Sequence, residues 1–395
     1  FNESDNRLWV MVQAQEPCNV EYRTLEKKDR VMFNKARHTE IQNLLDLGAY
    51  RILSLEESEK FRREHPEYVL PSRWVDRWKA TDDGGVKAKS RIVILGFKDP
   101  QVLQVERSAP TPTAEVFNTC MQVLASTKRD AWSSDIKNAF AQARKTTRNQ
   151  PVCAQLPPDM REAGFDLDPR QLLICETEVY GLISGPSWLR QSLVSDLETM
   201  GYRKNPYDKC IMTLPPESIP TRPQSCVEDY LNDGLVLIEV DDLFEGGTEK
   251  HRGKMAQFYK KYKCGKCLRL KDLGDEGTLI GGIRVKQLAD SSFKWNMRHY
   301  VRDSLKEIKV ERGTYTHVAE ISDYHLGQVI SSNGKIGWAG GNGRPDVAAG
   351  HSIIAGQYKN KSPELIGMCN QLSLIHISEP TRLRRISYAV VCVKK

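Results

Sequence analysis

The chain has 395 residues, 39% hydrophobic and 28% charged, with 58 Lys and Arg against 51 Asp and Glu for a net charge of +7. That length suffices for two or three packed units, and the composition excludes a disordered or fibrous chain. No apolar run approaches the roughly 18 residues needed to cross a bilayer. The chain opens at Phe1 with neither an initiator Met nor a signal-peptide pattern. It therefore reads as an intracellular fragment of a longer open reading frame, in a cytoplasmic particle or the nucleus, without a membrane partner.

The excess charge says little about partners. The last 25 residues carry five basic residues and one acid; without them 53 basic residues face 50 acidic ones, or +3. Local clustering says more, because residues 250–271 hold nine Lys/Arg and no Asp or Glu. Such a stretch suits either a phosphate backbone or a solvated helix face. Ten cysteines without regular spacing read as reduced thiols in a chain of this size. The close pair Cys264 and Cys267 lacks a second Cys/His pair at finger spacing and reads as two ordinary thiols.

Residues 1–29 are polar without clear periodicity. Val31, Met32, Ile41, Leu44 and Leu45 recur at helical spacing and predict a helix over 29–47 that stops at Gly48. RWVDRWKATDDGGVKAKSRIVILGF, residues 73–97, predicts two strands joined by a DDGG turn. After Pro110 and Pro112, residues 113–127 read as a helix, and 131–136 as a short strand with a helix following. Pro-rich loops surround Pro157-Pro158 and occupy 215–223, with a helix over 188–200 between them. The apolar run 235–240 ends in Asp241-Asp242, and a second short run closes at Gly246-Gly247: strand, acidic turn, strand. A basic helix over 251–262 and two more strand-like runs follow. Helices and strands mix without regular alternation, which predicts an α+β fold.

Two-metal nucleotidyl transfer needs carboxylates that hold two divalent ions about 4 Å apart. Mg²⁺ binds through one or two carboxylates plus substrate phosphates and waters, so the protein should offer few, exposed acids on rigid elements. Asp135, ending one strand, and the Asp241-Asp242 turn meet that demand, although about a hundred residues separate them. Taken alone, an Asp-Asp turn between strands is common and an Asp often caps a helix. Spacing by itself leaves both readings open.

Eight blocks in collinear order, over residues 30 to about 365, resemble copia-type retrotransposon reverse transcriptase. RWVDRWKATDDGGVKAKSRIVILGF is similar to that family's fingers hairpin, and SAPTPTAEVF to its S-P-T linker. SSDIKNAFAQA resembles the strand bearing the first metal carboxylate and falls on Asp135. The Gln155-Leu-Pro-Pro loop and the Tyr180-Gly-Leu segment with Pro186 and Trp188 resemble two further blocks. LIEVDDLFEGG resembles the Y-V-D-D hairpin and falls on Asp241 and Asp242. LKDLGDEGTLIGGIRV is similar to the segment closing the palm, and the block from Gly343 to Val347 resembles the R-P-D-I block.

The resemblance implies a right-hand α+β polymerase with a catalytic antiparallel palm sheet. Its parts would be an upstream segment (1–29), fingers (30–125), palm (126–290), thumb and connection (291–345), and the start of a link to a ribonuclease H domain (346–370). It implies RNA-directed DNA synthesis with Mg²⁺, or Mn²⁺ in its place. The partners implied are an RNA template, a DNA or tRNA primer and deoxynucleoside triphosphates. Asp135, Asp241 and Asp242 would be the catalytic metal ligands, Lys89 and Arg91 would meet the triphosphate, and Phe140 would lie under the sugar. Three departures point to the alternative of a decayed remnant that at most binds nucleic acid. Glu239 replaces an aromatic residue, Trp188 stands one residue closer to Pro186, and Ser187 replaces a basic residue. LSLIHISEPTRLRRISYAV, residues 372–390, resembles a translated sequencing-library adapter, so 371–395 are expected to lie outside the folded body.

Overall fold

The computed structural model describes residues 20–81, 85–216, 232–311, 313–315, 319–378 and 384–386. Most of the 1–29 segment, the centre of the DDGG turn, most of the second Pro-rich loop and residues 387–395 lie outside the described residues. Helix α1 (Lys27–Asp46) ends where Gly48 turns left-handed at φ +68°. There the Gly48 and Ala49 amides return to the Leu45 and Leu44 carbonyls, a glycine stop that satisfies the orphaned carbonyls. Strand β1 (Tyr50–Ile52) leads to α2 (Leu55–Glu64), started by a capping box between Ser54 and Glu57.

After β2 (Val69–Leu70), β3 (Ser72–Ala80) and β4 (Val86–Ile94) form a hairpin in unbroken antiparallel register. Helix α3 (Ala114–Ser126) is capped by Thr113, and β5 (Ala131–Ile136) follows. The helix expected after β5 is only a 3₁₀ turn, Ala139–Gln142. Asn138 is left-handed and Ala143 extended, so helical backbone cannot propagate through either end. Next come β6 (Cys153–Gln155), β7 (Leu172–Cys175), α4 (Gly185–Thr199), β8 (Arg203–Lys204) and β9 (Ile211–Leu214). The hairpin β10 (Gly234–Glu239) and β11 (Asp242–Gly247) precedes α5 (Glu249–Lys261) and β12 (Cys264–Arg269). The chain closes with β13 (Thr278–Ile280), β14 (Ile283–Gln287), β15 (Phe293–Asn296), α6 (Arg298–Ser304), α7 (Asp323–Asn342), α8 (Ala348–Gly356), α9 (Glu364–Ser378) and β16 (Arg384–Ile386).

The fold is α+β with several small sheets. The largest, in the order β12-β5-β11-β10-β9-β8, has six strands, antiparallel throughout. Strand side chains alternate between faces, and each face of this sheet finds its own cover. On the front, Phe117, Met121 and Leu124 of α3 meet Leu237 and Phe244, with Val285 and Phe293 alongside. On the rear, Leu193 and Leu197 of α4 and Met255, Phe258 and Tyr262 meet Ile136, Val236, Ile238 and Leu243.

A third core joins Ile41 and Leu44 of α1, Ile92 and Ile94 of β4, and Val152, Ala154, Leu173 and Cys175. These cores cut across the expected boundary at residue 125. Helix α3 packs on the six-stranded sheet, while residues 141–182 supply part of the core under α1. A fourth core holds Val301, Val329, Ile336, Ile354 and Leu365 from α6 to α9.

The tail departs from its expectation too. Helix α9 continues past Asn370, Leu372 packs against the fourth core, Ser373 is buried, and β16 pairs with β15. Leu365, Ile366, Cys369 and Leu372 repeat at helical spacing, which carries the apolar face onward. Pro380, where the chain disfavours helix for the preceding residue, lies just beyond. Among the described residues no helix is long and apolar enough to cross a membrane.

Candidate active site

The acids predicted from the sequence meet on one ladder. Glu239 pairs with Asp242 across the β10–β11 hairpin, Asp242 with Asp135 of β5, and Asp135 with Lys266 of β12. Directly opposed residues of antiparallel strands share a face, so these four form a row across four strands. Asp241 and Val240 make the two-residue turn that closes the hairpin. Val240 is left-handed at φ +56°, a conformation that strains a β-branched residue by about 1–3 kcal/mol. The Asp241 carbonyl accepts the Ile136 N–H at 2.9 Å, tying the turn to the end of β5. On β12 the register shifts between Cys264 and Lys266, and a Cβ on Gly265 would stand 3.0 Å from Asp135 Oδ2. The bulged glycine leaves room for that carboxylate.

Electrostatics single out the turn. Burial, then Asp241, Asp135 and Glu239, push the Asp242 carboxyl from 3.8 up to about 6, although its side chain reaches solvent. Burial and Asp135 also raise Asp241, while Arg91 and Lys89 oppose the rise. Glu239 is raised by burial and by Asp241. Crowded carboxylates resist ionising together, and a divalent ion would relieve that repulsion, so the donor set suits one. Among the described residues no group of three His, Cys, Asp or Glu is already gathered to hold a metal. The expected convergence of Asp135, Asp241 and Asp242 on a shared ion is thus adjacency at the ends of neighbouring interior strands rather than a formed cage.

Lys89 and Arg91 stand on the β3–β4 hairpin. Alternation puts Lys87, Lys89 and Arg91 on one face, and the register sets Arg77 opposite Lys89 and Lys79 opposite Lys87. Like charges directly opposed destabilise a bare hairpin. The other face, with Trp74, Asp76 and Trp78, is held by α1: Arg37 pairs with buried Asp76 at 2.6 Å, and Phe33 meets Trp78 edge-on at 4.9 Å. A cavity of about 520 Å³ opens on the cationic face, lined by Arg77, Lys79, Lys89, Arg91 and Tyr180 among others. Burial, then Arg91 and Lys79, lower the Lys89 ammonium, while Glu40 and Asp135 pull the other way. The cationic face and the acidic row are within electrostatic reach of each other.

Tyr180 joins the predicted residues. Phe140 meets its ring edge-on at 4.7 Å, and the Arg91 guanidinium lies 4.9 Å from the same ring centre. The Tyr180 carbonyl accepts the Ile94 N–H at 3.0 Å. Gly181 is left-handed at φ +97°, and a Cβ there would lie 2.0 Å from the Ile94 carbonyl oxygen, so glycine is required for this approach. Buried Arg148 bridges Asp99 at 2.5 Å and Glu178 at 2.6 Å and donates to Ser184, bracing the loop that carries Tyr180.

Sequence reading missed Arg77, Lys79 and Tyr180 as site residues. Period-two counting from Lys89 gives only Lys87 and Arg91 on its own strand; Arg77 and Lys79 follow from the cross-strand register, and nothing local gives Tyr180. The basic stretch 250–271 proves mostly occupied. Lys250, Arg252, Lys261, Arg269 and Lys271 pair with acids, and Lys254 donates to the Met200 carbonyl. Its strength as a phosphate track is reduced accordingly. No protein-family model and no curated protein matches the chain.

Proposed function

We propose that the chain is the polymerase part of a copia-type reverse transcriptase, extending a primer on an RNA template by two-metal nucleotidyl transfer. The observation that carries this reading is the register that sets Asp135 opposite Asp242, with Asp241 bonded through its carbonyl to the end of the same strand. In it the six-stranded sheet is the palm and the β3–β4 hairpin belongs to the fingers. Asp135, Asp241 and Asp242 would hold Mg²⁺, which when bound supplies an acidified 3′-hydroxyl and a neutralised triphosphate. Lys89 and Arg91, with Arg77 and Lys79 beside them, offer charge-assisted hydrogen bonds to phosphate oxygens. Phe140, braced on Tyr180, offers a flat ring against the sugar.

Primer extension on a primed RNA template with deoxynucleotides and Mg²⁺ tests the reading. Template-directed product that disappears with Asp242→Asn is the expected result; equal synthesis by that variant would sink the assignment. The second reading, a decayed remnant that only binds nucleic acid, is favoured by Glu239. It sets a carboxyl directly opposite Asp242, where the resemblance calls for an aromatic ring. That reading predicts template binding without extension at any Mg²⁺ or Mn²⁺ concentration.

A further inference from the structure

Behind the acidic row, on the rear face of the same sheet, lies a chain of buried polar groups that nucleotidyl transfer does not use. Glu245 of β11 and His251 of α5 are both 0% exposed. His251 Nε2 stands 2.6 Å from Glu245 Oε2, and Arg252 donates to Glu245 Oε1 at 2.5 Å. The Tyr202 hydroxyl stands 2.8 Å from His251 Nδ1, so both ring nitrogens are engaged. At the other end the Tyr259 hydroxyl is 3.5 Å from Glu245 Oε1 and 2.8 Å from the Ser134 hydroxyl. Room for the imidazole comes from the cross-strand pair Gly234 and Gly247. A Cβ on Gly234 would lie 2.2 Å from His251 Nδ1, and one on Gly247 would lie 2.8 Å from His251 Cβ.

The two ends of this chain sit on the strands that matter. Ser134 immediately precedes Asp135 on β5, and Glu245 follows Asp242 by three residues on β11. Both point to the rear because the paired Asp135 and Asp242 point to the front. One side chain, Tyr259, therefore touches both metal-bearing strands at a single register. A slip of one residue would break that double contact and turn Asp135 to the wrong partner and face. Burial and Glu245 hold the Tyr259 hydroxyl well above its ordinary range, so it remains a donor at any working pH. Apolar packing of the same volume would hold α5 on the sheet equally well; what the polar chain adds is a geometry that only one register satisfies.

We propose that Ser134, Tyr259, Glu245 and His251 form a positioning network that locks β5 against β11 and so sets the spacing of Asp135 and Asp242 from behind. Its catalytic consequence rests on the polymerase reading, whereas its effect on register does not. Tyr259→Phe removes one hydroxyl and keeps the ring, so it folds where Glu245→Gln risks failing. Hydrogen exchange and primer extension on the full chain read the outcome. In Tyr259→Phe the amides of the β5–β11 ladder should exchange about fivefold to tenfold faster, the scale of one hydrogen bond, with the β9–β10 ladder unchanged. The kcat per folded molecule should fall by a similar factor at constant nucleotide KM, and the Mg²⁺ half-saturation should rise. Ser134→Ala should act alike, and the double variant should be no worse than either single, because both cut the same link. A lower Tm with unchanged kcat, Mg²⁺ requirement and ladder exchange overturns the network as a positioning device. If the wild-type chain makes no product at all, the polymerase reading fails and exchange alone decides: faster β5–β11 exchange supports the network, and unchanged exchange overturns it.

Discussion

The two faces of the six-stranded sheet treat carboxylates in opposite ways. On the rear, Glu245 is fully buried and fully paired, with an imidazole on one oxygen and a guanidinium on the other. On the front, burial raises the proton affinity of Asp241, Asp242 and Glu239, and neighbouring carboxylates add to it: Asp135 on Asp241, Asp241 on Glu239, and Asp241, Asp135 and Glu239 on Asp242. A lone buried charge is costly, and the rear face answers that cost with fixed partners. The front face leaves its acids short of cations while Arg91 and Lys89 act on Asp241 from a neighbouring hairpin. A paired carboxylate serves the fold. A crowded one that reaches solvent is what the proposed metal ligation would use.

Asp242→Asn and Glu245→Gln break this contrast most sharply. Asp242→Asn should cut primer extension by about a thousandfold, the scale on which charge-stabilising groups act, without loss of thermal stability, because it removes repulsion. Glu245→Gln should cost about 3–5 kcal/mol in chemical denaturation, since it takes away the buried carboxylate that holds the Arg252 guanidinium and the His251 imidazole. If Asp242→Asn is the destabilised variant instead, the assignment of the two faces is reversed.

Phe140→Val should raise ribonucleotide use relative to deoxynucleotide use by about 10- to 100-fold in kcat/KM, the range a single steric group controls. If Phe140 only packs against Tyr180, both substrates should decline together and the ratio should hold.

The pH response sharpens the comparison further. The Asp242 carboxyl binds its proton more tightly in the fold, at about 6, than at its ordinary 3.8. The native state therefore takes up that proton first as pH falls, and this group makes the fold more stable near pH 5 than at pH 8. Tm measured across pH 4–8 should show that slope in the wild type and a shallower one in Asp242→Asn. Glu239→Gln should move the transition to lower pH, because Glu239 is one of the groups raising Asp242.

The smallest effect belongs to the tail. Ending the chain at Asn370 removes half-buried Leu372 from beside Gly350 and should cost about 1 kcal/mol in denaturant unfolding. No measurable change would show that the segment beyond Asn370 lies outside the cooperative fold.

Much was legible without coordinates wherever the determinant is local. Helical spacing and Gly48 gave α1 nearly to the residue, the DDGG signal gave a hairpin, and the apolar run before Asp241-Asp242 gave β10 and β11. The resemblance then named Asp135, Asp241, Asp242, Lys89, Arg91 and Phe140. Where reading along the chain failed, a distant neighbour or a single backbone angle decided. The left-handed Asn138 stopped a helix that the residues after it would have allowed. Helix α3 left the segment assigned to the fingers because its apolar face fits Phe244, on a strand more than a hundred residues away.

The sequence by itself determined the types of the elements it picked out, the helix after β5 excepted, together with the α+β class and the residue chemistry of the candidate site, because propensity, periodicity and turn chemistry act over a few residues. Only the tertiary structure decided that Asp135 faces Asp242, that Arg77 and Lys79 share a face with Lys89 and Arg91, and that Tyr180 links Phe140 to Arg91. It alone revealed that Tyr259 spans the strands of Asp135 and Asp242 and that at least six of the cations in 250–271 are already engaged. These are matters of register and of faces brought together across the chain. No local preference encodes them, since a shift of one residue in pairing leaves every propensity unchanged and reverses every face.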